Sequence, residues 1–108
     1  MSIKRITTIV PIGHLADLEK CLRTAGVHGM TVDYVQGFGV HANFFRNDLL
    51  QENVQVQVFV GADRSEAIAG AIQRFARATH ISAGILSIES IDRLIDLNTG
   101  EDVSARHL

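Results

Sequence analysis

Four valines at every second position, Val54, Val56, Val58 and Val60, constrain this chain more than any other feature. Strand side chains alternate between the two faces of a sheet, so this row makes one apolar face, with Gln55, Gln57 and Phe59 on the other. A strand apolar on one side needs a layer to cover it, and the flanking sequence supplies one. Ile3 to Val10, rich in Ile, Val and Thr, predicts a strand that Pro11 terminates. His14 to Ala25 sets Leu15, Leu18, Cys21, Leu22 and Ala25 on one helical arc, and Gly26 follows as a stop. Met30 to Gln36 alternates Met30, Val32 and Tyr34 against Thr31, Asp33 and Val35, the pattern of a half-buried strand. Asp63-Arg64-Ser65-Glu66 has capping-box spacing and opens a helix that turns Ile68, Ala71, Ile72 and Phe75 inward. Gly84 to Ile88 is a last main strand. Ile91, Leu94, Ile95 and Leu97 then make a short helical or extended tail towards Thr99-Gly100-Glu101.

The order strand, helix, strand, strand, helix, strand predicts an α+β, ferredoxin-like split βαβ fold: an antiparallel sheet with two helices on one face. Residues 1–108 are expected to form a single domain, with a loop over about 40–53 and a tail over about 96–108. The second sheet face is left open, with Phe59, Val35 and Ile9 or Thr7 on it. A semi-apolar open face is covered most simply by symmetric self-association. A net charge of -2 offers no basic field for nucleic acid. No apolar run approaches the ~20 residues that span a bilayer, so no direct membrane insertion is expected. Met1 to Ile12 lacks the regions of a signal peptide, and the expected location is cytoplasmic. Cys21, the single cysteine, excludes an internal disulfide and a cysteine-based zinc cage. No Ser/His/Asp, Cys/His or paired-carboxylate constellation can be assembled, so the chain is not expected to be an enzyme.

Gly26-Val27-His28-Gly29-Met30-Thr31-Val32, followed by Val35-Gln36-Gly37-Phe38-Gly39, resembles the paired signature of the PII signalling proteins, the nitrogen regulatory P-II family. Thr99-Gly100-Glu101, with Ile91 to Ile95 before it, resembles that family's C-terminal segment. The resemblance spans nearly the whole chain. It implies a non-enzymatic signal-transduction regulator: a homotrimer with three nucleotide-binding clefts between neighbours and one flexible loop per subunit, the T-loop. That loop docks on a target protein, a membrane transporter among the candidates. By match, Thr31, Gly37, Phe38 and Gly39 would line the cleft from one side, and Gln57, Val58 and Phe59 would border the adenine. Ser82, Ala83 and Gly84 stand where the family has a glycine-rich phosphate loop.

Three departures bear on the ligand. The family's phosphate-binding lysine falls on Ile85, and its two C-terminal arginines fall on Asp96 and Asn98. Charge-assisted hydrogen bonds contribute roughly 1.5–3 kcal/mol each, so losing three removes about 5–9 kcal/mol of triphosphate binding. Tight ATP binding is therefore not expected; ADP or AMP, another small anion, or an unliganded cleft stay open. The loop is shorter than in typical members, and Tyr34, the only tyrosine, lies in the strand before it, which excludes uridylylation at a loop tyrosine. His41 replaces a family glutamine that helps bind magnesium and 2-oxoglutarate. Imidazole suits zinc, copper or nickel better. The alternative reading is thus a trimeric metal- or anion-binding relative, for example bicarbonate-responsive, with His41 and the acidic Asp96, Glu101 and Asp102 as ligands.

Plainer readings stand beside these. Gly37-Phe38-Gly39 is either a hinge turn or a stretch of backbone that approaches a ligand closely. Phe44 and Phe45 either pack back on the trimer rim or, with Arg46, Leu49 and Leu50, anchor a partner. His41 is a ligand contact or a solvated loop histidine. Cys21 reads as a buried structural thiol, and His14, His28, His80 and His107 share no metal-ligand spacing.

Overall fold

Strand β1, Ile3–Pro11, forms the spine of the sheet. The computed structural model describes residues 2–36, 52–81 and 84–108. After β1, a 3-10 turn at Ile12–His14 leads into helix α1, Leu15–Thr24. Strand β2 is Thr31–Gln36 and β3 is Glu52–Gly61. Helix α2 is Ala62–Ala78, and β4 is Ile85–Ile91. The strands lie in the order β2-β3-β1-β4, every neighbouring pair antiparallel. That is the ferredoxin-like α+β arrangement expected from the element order.

Both crossovers place their helices on the same side, against the valine row. Val54, Val56, Val58 and Val60 are all buried and pack with Ile6 and Val10 of β1 against Leu18 and Leu22 of α1 and Ile68 and Ile72 of α2. Ile6 sits at the centre, fully buried, opposite Val58 on one side and Ile88 on the other. Alternation puts Arg5, Thr7 and Ile9 on the second face, which no helix covers among the described residues. There Ile9 packs with Val35 and Ile85. Arg5 forks onto Glu89 of β4, its Nη2 donating to the two carboxylate oxygens at 2.9 and 3.0 Å.

Several local expectations are corrected. The capping box at 63–66 does not form. The β1–β3 ladder runs to the pair Ile3 and Gly61, and α2 starts where it ends, with Gly61 as N-cap and no side-chain cap bond. Ala62 N–H donates to Ser2 O at 3.0 Å. Asp63 instead lies in the first turn, where its charge complements the positive end of the helix, while Ser65 Oγ donates to Ala62 O at 2.9 Å. Helix α1 starts at Leu15 rather than His14, because the chain leaves Pro11 through the 3-10 turn. Ala71 and Phe75 are only half-buried, and Ala69 and Ser65 take fully covered positions on α2. Ile91 belongs to β4, paired with Ile3, rather than to the tail.

Of the two forms open for the tail, the extended one is found. Ile95 bridges Asp102, Val103 N–H donates to Leu94 O at 2.8 Å, and Asp96 N–H donates to Glu101 O at 2.9 Å. Gly100, at φ +77°, takes the left-handed position in this turn that a side chain would disfavour. A second 3-10 turn, Ala105–His107, then brings the chain back beside β3.

Ile6→Ala should cost about 2–5 kcal/mol, because the position has no freedom to collapse. Asp63→Ala, which removes no cap bond, should cost less than about 1 kcal/mol. Urea unfolding of both variants checks the contrast.

Candidate ligand cleft

The β2–β3 register sets Thr31 directly opposite Gln57. Phe59, two residues on, emerges on the same face. Thr31 is exposed and Gln57 and Phe59 are half-buried, so three of the sequence-predicted residues share one patch. The connection from α1 passes over its margin. Gly26 turns the chain at φ +91°, and Val27 to Met30 then lead into β2. Between this segment and the sheet lies a cleft of about 390 Å³, lined by Val27 to Thr31, Gln57, Phe59, Val60, Arg64, His107 and Leu108.

Arg64 ties the margin together. From the first turn of α2, its Nη2 donates to Ala25 O at 2.7 Å and its Nη1 to Leu108 O at 3.5 Å. One guanidinium thus joins the end of α1, the start of α2 and the returning tail. A Cβ on residue 26 would stand 2.6 Å from Nη2, so glycine there serves both the left-handed turn and the seating of the arginine.

Other sequence-predicted residues lie elsewhere. Val58 is in the core, because alternation that exposes Gln57 and Phe59 must bury the residue between them. Any part it plays in a ligand site is through its main chain. Gly84 precedes β4 and borders a separate cavity of about 260 Å³ with Thr8, Ile72, Phe75 and Ile81. A Cβ there would stand 2.8 Å from Ile9 O, so close main-chain packing already requires glycine. Gly84 and the Thr31 patch are on opposite outer strands. Three strand spacings of ~4.8 Å put them about 14 Å apart across the sheet. Gly37, Phe38, Gly39, His41, Phe44, Phe45, Arg46, Leu49 and Ser82 lie outside the described residues.

None of the three positions that depart from the resemblance offers a cation. Ile85 packs on Ile9, and Asn98 N–H donates to Asp96 Oδ1 at 2.8 Å within an exposed turn. Asp102 is paired with Arg93 at 3.1 Å. Among the described residues, no group of three or more His, Cys, Asp or Glu is placed to hold a metal ion. His14 meets Phe75 edge-on, ring centroids 6.5 Å apart. Cys21 is half-buried between the helices, its thiol aimed at Ala71 O at 3.6 Å. Burial pushes that thiol's pKa up, with Arg74 pulling the other way.

Sequence reasoning missed His28, Arg64 and His107 as lining residues. They arrive from three distant segments, and no spacing rule connects them.

Strand order, helix placement and this cleft define a ferredoxin-like α+β domain that presents a ligand-sized recess at one margin of its sheet. The family model for the nitrogen regulatory protein P-II matches residues 3–101, and the chain belongs to that family of signalling regulators. The nitrogen regulatory protein P-II of Cereibacter sphaeroides is 31% identical over 107 residues, covering 92% of this chain and 95% of its own. Nitrogen regulatory protein GlnK of Escherichia coli K12 is 27% identical over 106 residues, with the same coverage. The crystal structure of Arabidopsis thaliana PII bound to citrate superposes with a TM-score of 0.74, covering 94% of this chain and 89% of its own. At 24% identity that is a likeness of fold.

Gly84→Ala should destabilise by about 1–3 kcal/mol through overpacking against Ile9 O, with or without ligand; thermal unfolding checks it. Since only the thiolate is nucleophilic, the raised pKa of Cys21 should make its alkylation at pH 8 slower than that of free cysteine. Mass-spectrometric timing of iodoacetamide labelling is the measurement.

Proposed function

We propose that the chain is a non-enzymatic regulator that works as a cytoplasmic homotrimer and senses a small effector, ADP or AMP, in clefts between subunits. The supporting observation is the separation of the two half-sites. Thr31, Gln57 and Phe59 stand at the β2 margin and Gly84 at the β4 margin. A site that uses both forms only where the β2 margin of one subunit meets the β4 margin of the next, a head-to-tail contact of the kind that closes rings. Leu97, 96% exposed, and Ile95, 41% exposed, are apolar surface that such a neighbour would cover.

The effector's charge follows from what surrounds it. With Ile85, Asp96 and Asn98 contributing no cation, a mono- or diphosphate is favoured over a triphosphate. Gly37, Phe38, Gly39 and His41 would complete the β2 side of the cleft, and Ser82 the β4 side. The loop 40–53 is the output element: Phe44, Phe45, Arg46 and Leu49 engage a target protein, a membrane transporter among the candidates. Effector binding switches it by holding one loop state more tightly than the other. The metal-binding alternative has no supporting group among the described residues, and its proposed ligand, His41, lies outside them.

Isothermal titration of the purified chain with AMP, ADP and ATP is expected to give heat with the first two and no tighter binding of ATP. Phe59→Ala should weaken the nucleotide about tenfold, the order of one lost base–aromatic contact. Silence with all three at millimolar concentration removes the nucleotide, and a monomeric mass in solution removes the assembly.

A further inference from the structure

We infer that the cleft beneath residues 27–31 captures a phosphate group through Arg64, His28 and His107. This deepens the reading above by naming the chemistry that the β2 margin binds. Among the described residues the three are the only titratable side chains in the wall of the cleft, and no Asp or Glu side chain contributes to it, although the chain carries 12 acidic residues against 10 Lys and Arg. Asp63 and Glu66, near Arg64 along α2, are exposed and stand outside the lining. Leu108 also lines the cleft and sets a main-chain oxygen against Arg64, so an anion would be held by the arginine's spare donors and the imidazole N–H groups rather than by a field of one sign.

Arg64 is also held in place. Its two terminal nitrogens are tethered to Ala25 O and Leu108 O, at 2.7 and 3.5 Å. A guanidinium has five N–H donors, so two main-chain oxygen partners leave capacity for an oxyanion while fixing the fork's direction. Little side-chain entropy remains to be lost when an anion arrives. His28 and His107 are exposed at the rim, and an imidazole keeps at least one N–H donor in either protonation state. Gly29 has no heavy atom within 4 Å of where a Cβ would stand, so a ligand can approach the main chain there. A volume of about 390 Å³ lies within the range of small-molecule sites. Free phosphate or a mononucleotide with its base on Phe59 would both present the same group to Arg64.

The test is a nuclear magnetic resonance titration of the full chain with inorganic phosphate, AMP and adenosine, on wild type, Arg64→Gln, His28→Gln and His107→Gln. Phosphate or AMP should shift the Gly29 and Thr31 amides, and Arg64→Gln should weaken that binding about tenfold or more. Each histidine variant should weaken it severalfold. Arg64→Gln also loosens the tie to Ala25, so its unfolding is followed in parallel. The two histidines are exposed, which keeps the test decisive if Arg64→Gln fails to fold. Binding of phosphate or AMP that is unchanged in all folded variants overturns the inference, as does absence of binding by either at millimolar concentration. AMP bound equally well without Arg64 and the histidines, with adenosine as effective, overturns the inference while leaving the nucleotide reading intact. Phosphate bound through them, with AMP and adenosine failing to compete, leaves the inference standing and removes the nucleotide.

Discussion

The double pairing of β1 is the constraint on which the rest of the structure depends. Every strand–strand contact in the sheet either involves β1 or leans on β3, its neighbour. Ile6 shows why the arrangement is unique. A slip of one residue in the β1–β3 ladder would set Ile6 and the valine row on opposite faces, and one in the β1–β4 ladder would do the same to Ile6 and Ile88. The registers on both sides are therefore fixed by the same apolar demand, and β2 and β4 are left as the outer strands.

From those edges the functional geometry follows. A β1-centred sheet cannot bring its own margins together, so the proposed site, which uses the residues at the start of β2 and those before β4, requires them to come from different subunits. What each margin can do alone differs. The β4 side is apolar and close-packed, Gly84 against Ile9 O and Ile85 against Ile9 itself. The β2 side is recessed and bears Arg64 and two histidines. The inferred phosphate contact thus falls at the margin where α1 ends and α2 begins. The same arginine that closes that junction faces the ligand space.

The alternating and helical periodicities made the fold legible, because burial acts on each residue of a strand or helix in turn. The valine row, the inward face of α2 and the stop at Gly26 are all of this kind. Boundaries were less legible: the helix start at Ala62 depends on how far Ile3 carries the ladder toward Gly61, a pairing 58 positions away in sequence. The candidate cleft was legible where it lies in a continuous motif, as at Thr31, Gln57 and Phe59. Val58 was carried along with its neighbours although the period of two places it in the core. Arg64, His28 and His107 were invisible because their association is a product of the tertiary fold. Arg64 in particular reads as an ordinary surface residue of a helix until the left-handed turn at Gly26 is known to receive it.

The same hairpin that forms the cleft leads to the loop. Thr31 pairs with Gln57 at one end of the β2–β3 ladder and Gln36 with Glu52 at the other. Five residue steps of antiparallel strand separate them, roughly 17 Å at ~3.4 Å per residue. Only one side of β2 is hydrogen-bonded among the described residues, and Asp33 and Tyr34, on its two faces, are both exposed, the latter by 70%. A strand held on a single side opens more readily than the central pair, whose opening would unpack Ile6 and the valines. Within the proposed reading, a ligand that braces Thr31 and Gln57 acts on an edge pairing of the sheet, and that pairing is the one that runs into residues 37–51. An effector at the β4 margin alone would have to act through β1, the most stabilised strand. The weak edge, and not the length of the loop, is therefore what suits the β2 margin to control it.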